Sequence, residues 1–320
     1  MVVAGPTASG KSALAVALAR ALDGEVVNAD SMQVYRDLSI LTARPDADEM
    51  AGVPHHLYGL LAADETCAAG LWLEWMHALL PEIWARGRVA VVTGGTGLYI
   101  RALIDGLAPV PEVTAGVRAA VSADYDRDPA AFAAALAAVD PVSAAAIPPA
   151  NRQRMIRAAE VFRATGRPIS AWQAEPHRGG LAAPPAVVAI EPERAWLYDR
   201  CDRRFDRMLE TGAWEQVRAA MAAGLAPDAP LARGVGARAL MAALAGELPE
   251  AEAVARAKRE TRNYAKRQST WFRRQLDADL VLRPPADALD SPRIAEKVAE
   301  ILKLRRHGGC KSSAPRPADG

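Results

Sequence analysis

Short apolar runs alternate along this chain with longer segments whose apolar positions recur at helical spacing. Met1–Ala4, Glu25–Ala29, Val89–Thr93, Val187–Ile190 and Leu280–Leu282 are the short runs. They are brief and rich in β-branched residues, and they predict buried strands. Between the first two, Leu14, Leu18 and Leu22 share one face of a helix predicted over Lys11–Leu22. Buried strands separated by helices predict an α/β fold, a mostly parallel sheet with helices on both faces.

The stretch from Pro109 to Pro185 breaks this alternation. It is rich in Ala and Arg, is bounded by Pro109 and Pro111 at one end and Pro184 and Pro185 at the other, and holds the run Ala130–Ala138. Ala favours helix, so a helical insertion over residues 110–185 is expected within a core built from 1–109 and 186–304. After Ile190 the pattern is helical again to about Trp271. From Arg305 onward the sequence turns basic and then rich in Ser, Pro and Gly, which predicts a disordered tail over 305–320.

Lys and Arg number 39 against 38 Asp and Glu in 320 residues, so overall charge points to no partner class. The cysteines Cys67, Cys201 and Cys310 form no CxxC pair, which argues against a zinc or disulfide framework. No apolar run reaches the roughly 20 residues that a membrane span needs, and the first residues lack the pattern of a secretory leader. No membrane association, a cytoplasmic location and a monomer are expected. The adjacent His55 and His56 diverge on any regular element, so they are expected to hydrogen-bond or pack rather than share a metal.

Gly5-Pro6-Thr7-Ala8-Ser9-Gly10-Lys11-Ser12 fits G-x-x-x-x-G-K-[ST] at every fixed position, after a predicted strand and at the start of a predicted helix. Such a loop curls so that consecutive N–H groups face phosphate oxygens, and the helix dipole adds to the attraction. Lys11 is placed to neutralise a terminal phosphate and Ser12 to ligate Mg²⁺. The fold is therefore expected to be P-loop NTPase-like. An ordinary ATPase would end a second strand in a carboxylate that holds the metal. Here Val89–Thr93 runs into Gly94-Gly95-Thr96. The acid at a strand's carboxyl end near the loop is Asp30, where ligands bind in open α/β sheets. Chemistry or metal binding by Asp30 and a helix N-cap role are about equally supported by spacing.

Arg256–Arg274 carries eight basic residues against one acid, Glu260. Arg259, Arg262, Lys266 and Arg273 fall on one helical face, with Tyr264, Trp271 and Phe272 between them. Alone this suits a solvated helix. A second basic helix, holding Arg152, Arg154, Arg157 and Arg163, shifts the reading towards a polyanionic substrate larger than a nucleotide. Arg200, Arg203, Arg204 and Arg207 alternate with Asp202 and Asp206, a pattern expected to form surface pairs along one helix.

Taken in order, these segments resemble the tRNA dimethylallyltransferases over about residues 1 to 275. The resemblance rests on the glycine loop, Asp30-Ser31-Met32-Gln33-Val34-Tyr35, Thr42-Ala43-Arg44-Pro45, Pro54-His55-His56-Leu57, Gly94-Gly95-Thr96-Gly97-Leu98-Tyr99, Arg157-Ala158-Ala159-Glu160-Val161, Thr165-Gly166 and Lys266-Arg267-Gln268-Ser269-Thr270-Trp271-Phe272-Arg273. It implies transfer of the dimethylallyl group of dimethylallyl diphosphate to N6 of the adenosine 3′-adjacent to the anticodon, with pyrophosphate leaving and Mg²⁺ required. It implies that Asp30 is the base, that Thr7 touches the bridging or leaving oxygen and that Arg204 helps hold the diphosphate. Contact with the tRNA anticodon stem-loop is implied for Asp30, Ser31, Met32, Gln33, Thr96 and Arg118. It is also implied for Gln153, Arg154, Met155, Ile156, Arg157, Arg233, Gly234, Val235, Gly236, Ala237 and Arg238. The family's Gly-Tyr-[Lys/Arg]-[Glu/Gln] segment stands here as Gly236-Ala237-Arg238-Ala239. The rival readings are a P-loop small-molecule kinase, an enzyme that prenylates free AMP or ATP, and a non-catalytic RNA-binding module.

Overall fold

The computed structural model describes residues 1–285, 289 and 292–307. The opening apolar run forms β1 (Val2–Ala4), whose three side chains are wholly buried. The glycine loop follows and opens α1 (Lys11–Ala21), which turns Leu14, Ala15, Leu18 and Ala19 inward. Next come β2 (Gly24–Asn28), α2 (Ala47–Met50), β3 (His55–His56), α3 (Ala69–Ala85), β4 (Val89–Gly94) and α4 (Gly97–Asp105). Five helices then succeed one another: α5 (Ala115–Arg127), α6 (Pro129–Val139), α7 (Pro141–Ala146), α8 (Arg152–Thr165) and α9 (Ile169–Gln173). The chain continues through β5 (Val187–Ile190), α10 (Arg194–Glu210), α11 (Ala213–Ala222), α12 (Ala237–Leu244), α13 (Glu250–Gln275), β6 (Leu280–Leu282) and α14 (Pro292–His307).

Two compact units emerge. One holds Met1–Ile104 with the chain from Ala182 onward, and the other is Asp105–Leu181. In the first, six strands make one sheet in the order β3-β2-β4-β1-β5-β6, and every pairing is parallel. All strands therefore end at the same edge, and the loops after β2, β4 and β1 emerge side by side there. Gly94 makes this possible, since a Cβ at that position would stand 2.1 Å from the backbone of Ala29. The second unit packs α5–α9 around Val121, Tyr125, Leu136, Met155 and Val161. Its Asp140 is 1% exposed. One carboxylate oxygen accepts from the Ser143 N–H at 3.0 Å and the Ser170 hydroxyl at 2.6 Å, tying α7 to α9.

Two elements differ from the sequence reading. β3 is a two-residue edge strand of polar residues, too short to carry a period. Both histidines have hydrogen-bonding partners: His55 Nδ1 lies 2.8 Å from Val53 O, and His56 Nε2 lies 2.6 Å from Glu25 Oε2. The second is α14. The disorder expected from Arg305 is corrected at residues 305–307, where the helix continues to His307. Ile294 and Val298, one turn apart, are buried in the cluster that holds Leu14 and Leu18 of α1. Burial of that stripe, rather than propensity, holds the helix. Residues 308–320 of the expected tail lie outside the described residues.

β2 carries a buried charge, Glu25, which is 3% exposed. Arg86 binds it with two hydrogen bonds of 3.0 and 2.7 Å, and His56 approaches the same carboxylate. The Arg86 hydrogen bonds hold its pKa below the usual carboxylate value of 4.5. A depressed folded-state pKa contributes stability that is full above the unfolded value and lost as pH falls through the folded one. Glu25→Ala is expected to lower unfolding free energy at pH 7 by roughly 2 kcal/mol. The difference from wild type should shrink as the medium is acidified below pH 4.5. Urea titrations across that range check both, and a constant difference would refute the charge argument.

Candidate active site

The glycine loop takes the shape its residues impose. Ala8 and Gly10 adopt left-handed φ values of 61° and 93°. Gly5 passes so close to its surroundings that a Cβ would lie 2.9 Å from Ser9 Oγ and 3.1 Å from the Ile190 side chain. The Ser9 hydroxyl is buried and has no hydrogen-bond partner among the described residues. Lys11 opens α1 with 9% exposure, and its Nζ lies 3.4 Å from Pro6 O. Burial pushes its pKa down to about 8, although the negative charge of Asp30 pulls the other way. From α10, the Arg200 Nε donates to Ala8 O at 2.8 Å and braces the loop from outside.

Asp30 stands where the chain leaves β2. The Asn28 side chain sets this turn: its Oδ1 accepts from the Asp30 N–H at 2.8 Å, and its Nδ2 donates to Asp30 O and Leu57 O, each at 3.0 Å. Asp30 Oδ1 accepts from the Met32 N–H at 2.9 Å. No helix begins here, so the N-cap alternative falls away. Oδ2 lies 3.4 Å from where a Cβ of Gly95 would stand.

A cavity of about 320 Å³ opens at this edge, wholly within the sheet unit. Its lining includes the polar residues Thr7, Lys11, Ser12, Asp30, Arg204 and Arg267 and the apolar residues Leu38, Leu41, Phe205, Met208, Leu231 and Val235. Arg204 projects from α10 and forms no ion pair among the described residues, while burial holds its pKa below the ordinary guanidinium value. Tyr264 and Thr261 line the cavity from α13, and Arg267 lies over the Tyr264 ring at 5.7 Å. This combination of side chains can neutralise a polyanion, bury a small apolar group and present a carboxylate in one cavity. No cluster of three His, Cys, Asp or Glu side chains capable of holding a metal occurs among the described residues. Ser12 and Asp30 both line the cavity. One hydroxyl and one carboxylate suit an ion such as Mg²⁺, which takes most of its ligands from phosphate oxygens and water.

The other residues singled out from the sequence fall into three groups. Ser31, Met32, Gln33, Arg233, Gly234, Val235 and Ala237 line the cavity. Gly236 caps α12 at φ 86°, where a Cβ would stand 3.0 Å from the Phe205 ring, and exposed Arg238 donates to Pro227 O at 3.0 Å. Thr96 accepts from the Ser31 N–H at 2.9 Å, just outside the lining. In the helical unit, Gln153 and Arg154 are exposed, while Arg118 and Arg157 converge on buried Glu160 at 3.2 and 2.7 Å. Met155 and Ile156 are core residues whose side chains are turned away from solvent, because α8 must bury one face to close that unit.

Several expected charges are engaged. Asp202 and Asp206 do not pair along their own helix but reach α13, binding Arg262 at 2.6 Å and Lys258 at 2.5 Å. Arg262 therefore leaves the expected cationic stripe. Arg259, Lys266, Arg273 and Arg274 are exposed and form no ion pair among the described residues. On α8, Arg152 and Arg163 pair with Asp126 and Asp124, so that helix is less basic than its sequence predicts. Sequence reasoning missed Thr261, Tyr264, Arg267 and the apolar lining, because no periodicity marks which of many buried residues will border a void.

The chain is similar to known proteins over most of its length. A family model described as IPP transferase matches residues 33–275, and one described as isopentenyl transferase matches residues 1–58. A tRNA dimethylallyltransferase of Parvibaculum lavamentivorans is 55% identical over 279 residues, covering 87% of this chain and 88% of that protein. One from Paramagnetospirillum magneticum is 44% identical, covering 96% of each. Among solved structures, a tRNA isopentenylpyrophosphate transferase from Bacillus halodurans superposes with a TM-score of 0.70 at 33% identity, over 96% of this chain and 97% of that one. A eukaryotic dimethylallyltransferase acting on tRNA gives 0.78 at 25% identity, over 98% and 80%.

Proposed function

The chain belongs to the tRNA dimethylallyltransferase family and transfers a dimethylallyl group to tRNA; on that premise we propose that the donor is dimethylallyl diphosphate and the acceptor is N6 of the adenosine 3′-adjacent to the anticodon. The observation that carries the reading is one cavity whose lining brings together the cations Lys11 and Arg204, the carboxylate Asp30 and several apolar side chains. The diphosphate is assigned to the glycine loop, Lys11 and Arg204, and the five-carbon chain to the apolar residues Leu38, Phe205 and Leu231. Bond formation between N6 and C1 of the donor accompanies cleavage of the C1–O bond, and the electron pair leaves with pyrophosphate. Lys11, the loop amides and Arg204 meet that charge, and the Thr7 hydroxyl faces the departing oxygen. When bound at Ser12, Mg²⁺ supplies further neutralisation of the leaving group. Asp30 takes the amine proton, which a weakly nucleophilic exocyclic nitrogen must lose as the new bond forms. The target base reaches the cavity by leaving its stack.

Incubation with unmodified tRNA, dimethylallyl diphosphate and Mg²⁺, followed by mass spectrometry of the digested nucleosides, tests this proposal. Prenylated adenosine from tRNA with none from AMP supports it. Transfer to AMP, or release of ADP from ATP, would favour a rival. The tRNA surface is assigned to the exposed cations of α13. Arg259→Ala is expected to weaken tRNA binding and to lower the slope of log affinity against log salt by about 1. Filter-binding titrations at several salt concentrations check this, and equal slopes would remove Arg259 from the interface.

A further inference from the structure

We infer that Gln268 is a positioning residue that fixes the distance between the glycine loop and the Asp30 turn, and so joins α13 to the reaction centre; the inference rests on the prenyl-transfer reading above. Three neighbouring strands end here in the order β2, β4, β1, so their loops present Asp30, Gly95 and Thr7 in that order. The first two loops are locked together. The Thr96 N–H donates to Ala29 O at 3.1 Å, and the Ser31 N–H donates to Thr96 Oγ1 at 2.9 Å. Among the described residues, the side-chain tie from the glycine loop to this pair is Gln268. Its Oε1 accepts from the Thr7 N–H at 2.8 Å, and its Nε2 donates to Gly95 O at 2.7 Å.

The chemistry selects glutamine. The bridge needs one acceptor and one donor at the end of a side chain of this length, and the glutamine amide supplies both on separate atoms without depending on protonation. Gln268 is 6% exposed, so either group left unpaired would be costly. Gly95 leaves the room, because a Cβ there would lie 2.2 Å from Gln268 Nε2 and 3.4 Å from Asp30 Oδ2. The bond also occupies the Thr7 amide, which is then not free for the diphosphate, while Thr7 still lines the cavity. On the same helix, Lys266 and Arg273 face solvent while Thr261, Tyr264 and Arg267 line the cavity. Polyanion docking outside and loop geometry inside thus share one rigid element.

Two variants separate positioning from packing. Gln268→Met keeps the length and loses both polar groups, and Gln268→Glu keeps the acceptor and loses the donor. Each is expected to lower kcat about 10²-fold, the effect of a displacement near 1 Å, with KM for tRNA unchanged. A residue that merely packs would lower the melting temperature and leave kcat of the folded enzyme intact. Amide hydrogen exchange provides a readout that needs neither tRNA nor turnover. The Thr7 amide should be protected in the wild-type chain and exchange about tenfold faster in Gln268→Met. Failure of wild-type transfer would refute the prenyl-transfer reading and leave the exchange result to decide on Gln268. An unprotected wild-type Thr7 amide, or unchanged kcat in both folded variants, overturns the assignment.

Discussion

Asp30→Asn should slow dimethylallyl transfer by about 10²–10⁴-fold, the usual contribution of a positioned general base, while tRNA affinity stays at the wild-type level. Asparagine is the informative replacement because it can keep the turn. The Asn28 contacts hold the Asp30 backbone, and an amide oxygen can still accept from the Met32 N–H as Oδ1 does at 2.9 Å. What disappears is the proton acceptor on Oδ2, beside Gly95. Single-turnover measurement with preformed tRNA complex separates chemistry from binding. A rate within about tenfold of wild type would remove Asp30 from the base role.

Loss of the Lys11 charge should be the next largest effect. Lys11→Ala is expected to lower kcat/KM for dimethylallyl diphosphate by about 10²–10³-fold, as removal of one preorganised charge contact does. The ammonium sits in a buried pocket that disfavours it, so its pKa falls to about 8. The free enzyme should therefore lose the cation as pH rises through that value. KM for the diphosphate should increase above it, by up to about tenfold per pH unit. Calorimetric titration with inorganic pyrophosphate from pH 7 to 10 checks this, and Lys11→Ala should flatten the profile. A KM that stays level in wild type across that range would sink the argument. Arg204→Ala should act in the same direction, because its guanidinium lines the cavity and forms no close ion pair among the described residues.

The glycine loop, the parallel sheet and Asp30 were legible because each rests on local signals. A fixed spacing specifies the loop, short Val-rich runs specify the strands, and an acid at a strand's end marks the ligand-binding edge. What was not legible depends on contacts between segments far apart in the chain. Arg262 and Lys258 look like free cations until α10 brings Asp202 and Asp206 against them. Met155 and Ile156 share a short stretch with Arg154 and Arg157, yet α8 turns them into the core. The apolar part of the cavity lining combines Leu38 and Leu41 with Leu231 and Met208, and no window of sequence contains that grouping. The helix over Pro292–His307 follows from α1 having an uncovered apolar face, which is a property of the folded sheet.

The order of the strands has a consequence for how the protein is made. β1 lies in the middle of the sheet, between β4 and β5, yet it is synthesised before both. Its two neighbours follow only after α3, and then after the whole helical unit, have been synthesised. Until then Val2–Ala4 is an apolar segment with both backbone edges open, a form prone to wrong association. A chain released early, before β5, would carry the complete phosphate-loop motif and still lack the strand that seats it.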